Sequence, residues 1–165
     1  MRIGVLSDTH LKTAPHGFIR ALRVALGEVE LVLHCGDWVS PAVMEAMEAE
    51  GWDVIGVAGN MDSPELHRRL PVKRELEVGG IKVGLLHGWG SPEGIETKVS
   101  RAFGDVEVVV FGHTHRPYWG RFGNLWLMNP GAACGWGNPQ GPTVGILEAG
   151  DMVRGSILKL EAVGQ

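Results

Sequence analysis

The 165-residue sequence predicts an α/β fold: a single domain, 1–165, with two sheets packed face to face and helices outside them. Three observations carry that expectation. Residues 1–60 read as strand, helix, strand, helix, strand, which right-handed crossovers make parallel. Glycine-marked turns at Gly79-Gly80, Gly123-Asn124 and Gly150-Asp151 make the remainder largely antiparallel. Short apolar runs (3–7, 31–35, 54–58, Ile81–Leu86 and 106–111) have too little polar alternation for a sheet with one wet face.

Local chemistry accounts for each element. Residues 1–7 form the first buried strand. Phe18, Ile19, Leu22, Val24, Ala25 and Leu26 then recur at helical spacing, with Gly27 placed to end the helix. After the strand at 31–35, Ser40-Pro41 opens a second helix, serine as N-cap and proline in the first turn. It carries Val43, Met44, Ala46 and Met47 and stops at Gly51. A third strand runs over 53–58, and strands at 74–78 and Ile81–Leu86 flank the Gly79-Gly80 hairpin. Ser91-Pro92 begins a helix with Ile95, Val99 and Phe103 on one face, ending near Gly104. Strands at 106–111, 117–121, 125–128, Thr143–Glu148 and 152–159 complete the chain, with a glycine-rich loop at 129–142.

The bulk numbers bound the function. The length encloses a core but is too short for a (β/α)₈ barrel. A hydrophobic fraction of 44% fits an ordinary globular protein. The net charge of −4, with no basic block beyond Arg68-Arg69 and Lys73-Arg74, argues against a nucleic-acid polymer as partner. No apolar run approaches membrane-spanning length and no signal peptide is visible. With only Cys35 and Cys134 and no CxxC pair, the expected location is cytoplasmic, with reduced thiols and no membrane partner.

The five apolar runs all end in residues with chemical potential. Asp8-Thr9-His10, Gly36-Asp37, Gly59-Asn60, His87-Gly88 and Gly112-His113-Thr114-His115 stand at the strand exits, the edge where ligands bind in open α/β sheets. DxH and HxH pairs each arise often by chance, Asp37 could cap the next helix, and Asn60 could serve a turn. The conjunction decides for a metal site. The metal-ligand set is Asp8, His10, Asp37, Asn60, His87, His113 and His115, more than one ion needs and about what two need with a bridging carboxylate. On an extended backbone, residues two apart such as Asp8 and His10 face the same side. Neutral imidazoles with carboxylates suit Mn²⁺, Fe²⁺, Zn²⁺ or Co²⁺. Two ions ~3.5–4 Å apart activate a bridging hydroxide and clamp a phosphoryl group for in-line attack.

These residues resemble the calcineurin-like metallophosphoesterases, whose pattern Dx(H)…GDx…GNxx…HG…GHxH they match in order. Asn129-Pro130-Gly131 resembles the NPG element of the small single-domain prokaryotic phosphodiesterases in that superfamily. The resemblance implies a four-layer α-β-β-α sandwich with two packed mixed sheets and the metal site at the strand C-terminal ends. It also implies a dinuclear centre: Asp8, His10 and His115 on one ion, Asn60, His87 and His113 on the other, and Asp37 bridging. Asp37, Asn60 and His113 become the catalytic residues. The implied cofactor is two divalent ions, Mn²⁺ first, with Ni²⁺, Co²⁺, Fe²⁺ or Zn²⁺ also fitting. The implied activity is metal-dependent hydrolysis of a small-molecule phosphodiester, with phosphate as a product-like ligand and a homo-oligomer, dimer or tetramer, as the assembly.

One position departs from the family. Many members carry histidine directly after the GN asparagine; here Met61 stands there, and a thioether donates no proton. Good leaving groups should therefore react far faster than alkyl esters. His16, in the loop after the first motif, is the remaining candidate acid. His34 reads as a core histidine, His67 as solvated, and Arg116 as a candidate phosphate contact. Trp89, Trp119, Trp126 and Trp136 are expected near the site. The alternatives are a phosphomonoesterase and a protein-binding scaffold of the same fold; the scaffold has lost metal ligands, notably the DxH histidine, whereas His10 is present here.

Overall fold

The computed structural model describes residues 1–161. In chain order the elements are β1 (Arg2–Leu6), α1 (His16–Leu26), β2 (Leu31–His34), α2 (Ala42–Ala49), β3 (Asp53–Gly56), α3 (Pro64–Arg69), β4 (Lys73–Val78) and β5 (Ile81–Leu86). These are followed by α4 (Ile95–Ser100), β6 (Val108–Val110), β7 (Tyr118–Phe122), β8 (Leu125–Asn129), β9 (Thr143–Glu148) and β10 (Arg154–Lys159). They form two five-stranded mixed sheets, ordered β10-β9-β1-β2-β3 and β4-β5-β6-β8-β7. Strands β1, β2 and β3 pair in parallel, with β3 at the sheet edge, as do β5, β6 and β8; β9 joins β1 antiparallel, and the hairpins β9-β10, β4-β5 and β7-β8 supply the other antiparallel pairs.

The apolar runs lack alternation because both faces of the central strands are covered. Between the sheets, Ile3, Val5, Leu31 and Leu33 pack on Val83, Leu85, Val108, Val110 and Met128. Leu22, Leu26, Val43 and Met47 of α1 and α2 cover the outer face of the first sheet over Leu6 and Val32. Ile95 and Val99 of α4 cover the second sheet over Val109 and Leu127. The expected four layers are therefore present, helices outside and sheets face to face.

The helix boundaries differ from expectation in an instructive way. Ser40 stands one residue before the N-cap Pro41: its Oγ donates to the Lys12 carbonyl at 2.9 Å and accepts only a long bond from Ala42 N at 3.4 Å, and the helix starts at Ala42. After Ser91-Pro92, Gly94 turns left-handed (φ 67°), so α4 begins at Ile95 and leaves Phe103 outside it. The same serine–proline signal operates in full where no helix was expected. Ser63 Oγ accepts from Leu66 N at 3.3 Å, Pro64 fills the first turn, and α3 buries Leu66 in the core. The turn at Gly150-Asp151 lies inside a longer connection, because Glu148 pairs with Arg154. Trp119 and Trp126 are not at the strand exits: they stack at 4.7 Å and 4° against the intersheet core, Trp119 lying against Gly155 of β10.

His34 is the core histidine expected. Its Nδ1 accepts from Gly36 N at 3.2 Å, so Nε2 carries the proton, which it shares with Thr9 Oγ1 at 3.3 Å; the ring stacks on Trp38. Complete burial lowers its pKa from 6.5 to about 3. The unfolded chain therefore binds a proton that the folded chain refuses, and stability falls as pH drops below 6.5, toward the folded value near 3. The expected slope from this group is roughly 1.4 kcal/mol per pH unit. His34→Asn should be less stable at pH 7, because stacking on Trp38 is lost, yet lose stability more shallowly between pH 6 and 4. Urea denaturation of both proteins across that range measures the difference in slope.

Candidate metal centre

Parallel pairing of β1 and β2 does not stop where the strands end. Asp8 N donates to Gly36 O at 3.0 Å, His10 N to Asp37 O at 3.1 Å and Leu11 N to Trp38 O at 3.2 Å. The loops carrying Asp8, His10 and Asp37 thus run side by side as an extension of the sheet. Across the intersheet core, β5 delivers His87 and β6 delivers His113 and His115, with Gly112 N bound to His87 O at 3.0 Å.

The ligands converge through a different backbone geometry from the one the spacing suggests. Asp8 (φ 53°), His10 (48°), Asp37 (58°), His113 (70°) and His115 (59°) are all left-handed, not extended; among the described residues, Val39 (φ 78°) is the sole other non-glycine in that region. Each such residue costs about 1–3 kcal/mol and persists only where its surroundings over-determine it. Left-handed turns at alternate positions swing DxH and HxH side chains inward just past the strand ends.

The resulting arrangement has two clusters and one shared carboxylate. Asp8 Oδ1 lies 3.2 Å from His115 Nε2 and 3.7 Å from His10 Nε2, and the two imidazole nitrogens are 3.3 Å apart. Asn60 Oδ1 lies 3.0 Å from His87 Nε2 and 3.2 Å from His113 Nδ1. Asp37 Oδ2 stands between them, 3.7 Å from His10 Nε2 and 3.3 Å from His87 Nε2. Asp8, His10, Asp37 and His115 offer ligand atoms all within 4.8 Å of one another.

Backbone carbonyls fix how three of the imidazoles face inward. His87 Nδ1 donates to Cys35 O, His115 Nδ1 to Trp136 O and His113 Nε2 to Gly90 O, each at 2.8 Å. A carbonyl only accepts, so the proton of each neutral ring sits on that outer nitrogen and the inner nitrogen presents a lone pair. These lone pairs point at carboxylate and amide oxygens that are acceptors too. Asp8 Oδ1 is fully buried and accepts no hydrogen bond. Acceptors crowded at 3.0–3.7 Å around the buried Asp8, Asp37 and His87, with Asn60 and His113 on the open side, need cations, and this donor set fits divalent metal.

The carboxylates and imidazoles also shift one another's affinity for protons. Burial raises the Asp8 carboxyl, but His10 and His115 outweigh it and hold it well below the usual carboxylate range. Burial also raises Asp37, and its contact with His87 brings it net downward. The Asp8 carboxylate pushes the His115 pKa up; burial lowers His87, but Asp37 raises it further.

Two supporting residues were not expected from the sequence. Asp62, buried, accepts from Gly59 N at 2.7 Å and Asp37 N at 3.2 Å through Oδ2, and from Val39 N at 2.7 Å through Oδ1. Burial raises its pKa, although those backbone donors oppose the shift. It ties the loops after β2 and β3 together and aims Asp37. Its signal was present as the fourth letter of Gly59-Asn60-Met61-Asp62. Asn129 of the NPG element donates from Nδ2 to Gly112 O at 2.9 Å and Thr114 Oγ1 at 3.1 Å, bracing the HxH turn. Glycine is required where loops touch: a Cβ on Gly59 would sit 2.2 Å from Asp37 Oδ1, and one on Gly112 1.8 Å from Ser7 Oγ.

The remaining candidates divide. Met61 is 58% exposed, and its backbone N–H donates to Asp37 Oδ1 at 2.8 Å, so this position orients the shared carboxylate through its amide. Trp136 packs edge-on against His115 at 5.3 Å and His10 at 5.8 Å, and Trp89 lines a cavity beside His87. His16 is exposed at the start of α1, and Arg116 is exposed with its N–H turned to Thr114 Oγ1.

Comparison with known proteins agrees with this geometry. The calcineurin-like phosphoesterase superfamily domain matches residues 1–152. A probable metallophosphoesterase of Methanocaldococcus jannaschii is 35% identical over 136 residues, covering 80% of this chain and 68% of that protein. A phosphodiesterase of the same organism is 30% identical over 160 residues, 90% of this chain and 93% of that one. Among solved structures, an archaeal phosphodiesterase superposes with a TM-score of 0.72 at 28% identity, covering 96% of this chain and all of that one (100%). Vps29 of Entamoeba histolytica with Zn²⁺ superposes with a TM-score of 0.71 at 24% identity, over 98% and 100% of the two chains, a likeness of fold.

Asp62→Ala should leave the sheets intact while releasing the three backbone donors that aim Asp37. Its Mn²⁺ affinity, read by calorimetry on chelator-stripped protein, should fall by about 10–100-fold. An unchanged affinity would mean that Asp37 is positioned without it.

Proposed function

This chain belongs to the calcineurin-like phosphoesterase superfamily, and we propose that it is a metal-dependent phosphodiesterase acting on small-molecule phosphodiesters at a two-metal centre. The observation that carries the proposal is Asp37 Oδ2, shared between the His10 and His87 clusters at 3.7 and 3.3 Å. Asp8, His10 and His115 would hold one ion and Asn60, His87 and His113 the other, with Asp37 placed to serve both. When bound, two divalent ions, Mn²⁺ first among those these donors suit, polarise the phosphoryl oxygens and make water nucleophilic at neutral pH.

The chain's own residues set the rest. With Asn60 Oδ1 turned to His87 and His113, its Nδ2–H₂ is the donor left for a phosphoryl oxygen. His113 carries its one proton on Nε2, held by Gly90 O at 2.8 Å, while Nδ1 faces Asn60 Oδ1, so neither nitrogen offers a free proton to a leaving group. Met61 has none either. The reaction is therefore fast where the departing group needs no proton. Among the described residues no helix is long and apolar enough to cross a membrane, and Cys35 and Cys134 are free thiols.

Hydrolysis of bis-p-nitrophenyl phosphate and p-nitrophenyl phosphate by chelator-stripped protein, with and without Mn²⁺ and beside Asp37→Ala, tests the reading. Diester cleavage should require metal and fall to background in the variant. Faster monoester cleavage would make the chain a phosphomonoesterase, and no turnover with any divalent ion would leave a protein-binding scaffold. Met61 sets a second expected outcome: p-nitrophenyl diesters should be cleaved at least ~10²-fold faster than methyl or ethyl diesters, the range a general acid contributes.

A further inference from the structure

A cavity of about 560 Å³ opens directly from the metal centre at Asn60 and His87. That is the size of a site for a small organic ligand, larger than a phosphoryl group needs. Its wall is built by four separate segments: His67 from α3, Val72 and Lys73 at the start of β4, Trp89 after β5, and Arg101 after α4.

The lining has one sign of charge. It holds Lys73 and Arg101 and no carboxylate outside the metal ligands, in a chain whose net charge is −4. The Lys73 ammonium donates to the Ala102 carbonyl at 2.8 Å and lies 5.4 Å from the Phe103 ring centre, which settles it at the cavity without neutralising it. Elsewhere Arg23 pairs with Glu50, Arg69 with Glu45 and Glu65, and Lys82 with Asp105, while Arg121 is held by the Asn124 carbonyl and the Trp126 ring. Arg101 and Lys73 form no ion pair among the described residues. The same lining holds two apolar groups open to solvent, Val72 (73% exposed) and Trp89 (51%). The Trp89 loop is braced by Lys98, whose Nζ donates to the Trp89 and Ser91 carbonyls at 3.4 and 3.2 Å.

Resting on the phosphodiesterase reading, we propose that this cavity is a second-anion subsite: the substrate carries, beyond the scissile phosphodiester, a terminal anionic group that meets Lys73 and Arg101, joined by an organic portion lying on Trp89 and Val72. The substrate class is then a diester bearing a further phosphate or carboxylate, not a simple dialkyl or diaryl phosphate. Charge complementarity and continuity with Asn60 and His87 select this occupant. A neutral arm would gain nothing from the two cations, and a cationic arm would be repelled by them.

Product-like ligands test it independently of turnover. Calorimetry on the Mn²⁺-loaded protein compares thymidine 3′,5′-bisphosphate with thymidine 5′-monophosphate, which differ by one phosphate. The bisphosphate should bind about 10-fold tighter or more, and Lys73→Met with Arg101→Gln should erase the difference. Methionine keeps the packing of the lysine stem, and unchanged thermal melting certifies the fold. Equal affinity for the two ligands, or a preference that survives both substitutions, overturns the subsite. The p-nitrophenyl 5′-esters of thymidine and of thymidine 3′-phosphate separate the two readings. Cleavage of both at equal kcat/KM retains the phosphodiesterase and removes the subsite. Tight, charge-dependent bisphosphate binding with no cleavage of either ester retains the subsite and removes the phosphodiesterase.

Discussion

The rest of the structure is arranged around one electrostatic constraint: lone pairs of crowded acceptors, the carboxylates among them buried, that point at one another. Three imidazoles have their protons claimed by backbone carbonyls of Cys35, Trp136 and Gly90, which leaves their inner nitrogens as acceptors. Facing them are carboxylates of Asp8 and Asp37 and the amide oxygen of Asn60. Such a set is costly to bury unless cations sit among its atoms. The left-handed turns at five of these ligands add their own cost. Both penalties are tolerable only in a scaffold with stability to spare, and a doubly covered pair of sheets provides one.

The scaffold also explains why the ligands do not drift apart. Asp8, His10, Asp37 and Asn60 come after strands of the first sheet, while His87, His113 and His115 come after strands of the second. Each cluster therefore takes ligands from both sheets. The distance between the sheets is set by Ile3, Val5, Leu33, Val83, Leu85 and Val110, which makes the apolar core part of the coordination geometry. Glycines at the seam let the loops approach more closely than any side chain would permit, as Gly59 does against Asp37. The close approach is then locked by Asp62, whose carboxylate spans three backbone donors.

Sequence alone discloses the parts of this design that depend on hydrophobic pattern and residue type. The covered strands, the four layers and the ligand-type residues at five strand exits are all legible in local composition. What it does not disclose depends on backbone conformation and long-range hydrogen bonding. Residues two apart on a strand share a side, so Asp8 and His10 were expected to converge by extension; they converge through left-handed turns that no spacing rule encodes. Local sequence gives Asp62 no role because its partners, Asp37 and Val39, lie far away along the chain. Ser-Pro dipeptides carried the same signal three times, yet the serine caps a helix only at Ser63; at Ser40 the hydroxyl was drawn off to Lys12, and after Pro92 a left-handed Gly94 intervened. Trp119 and Trp126 sat close to the motif in sequence, but strand direction carries them away from the exits and into the intersheet core.

Met61 and the basic cavity belong to one account of specificity. A general acid lets an enzyme cleave poor leaving groups, and here neither Met61 nor the doubly committed His113 can act as one. Discrimination then has to come from binding. Contacts equally strong in the ground and transition states lower KM without raising kcat. Lys73 and Arg101, held on β4 and just past α4, are contacts of that kind for an anionic arm distant from the reacting phosphorus. A chain with this division of labour selects its substrate by the charge of the part it does not cleave, and it limits its chemistry to esters whose leaving group departs unaided.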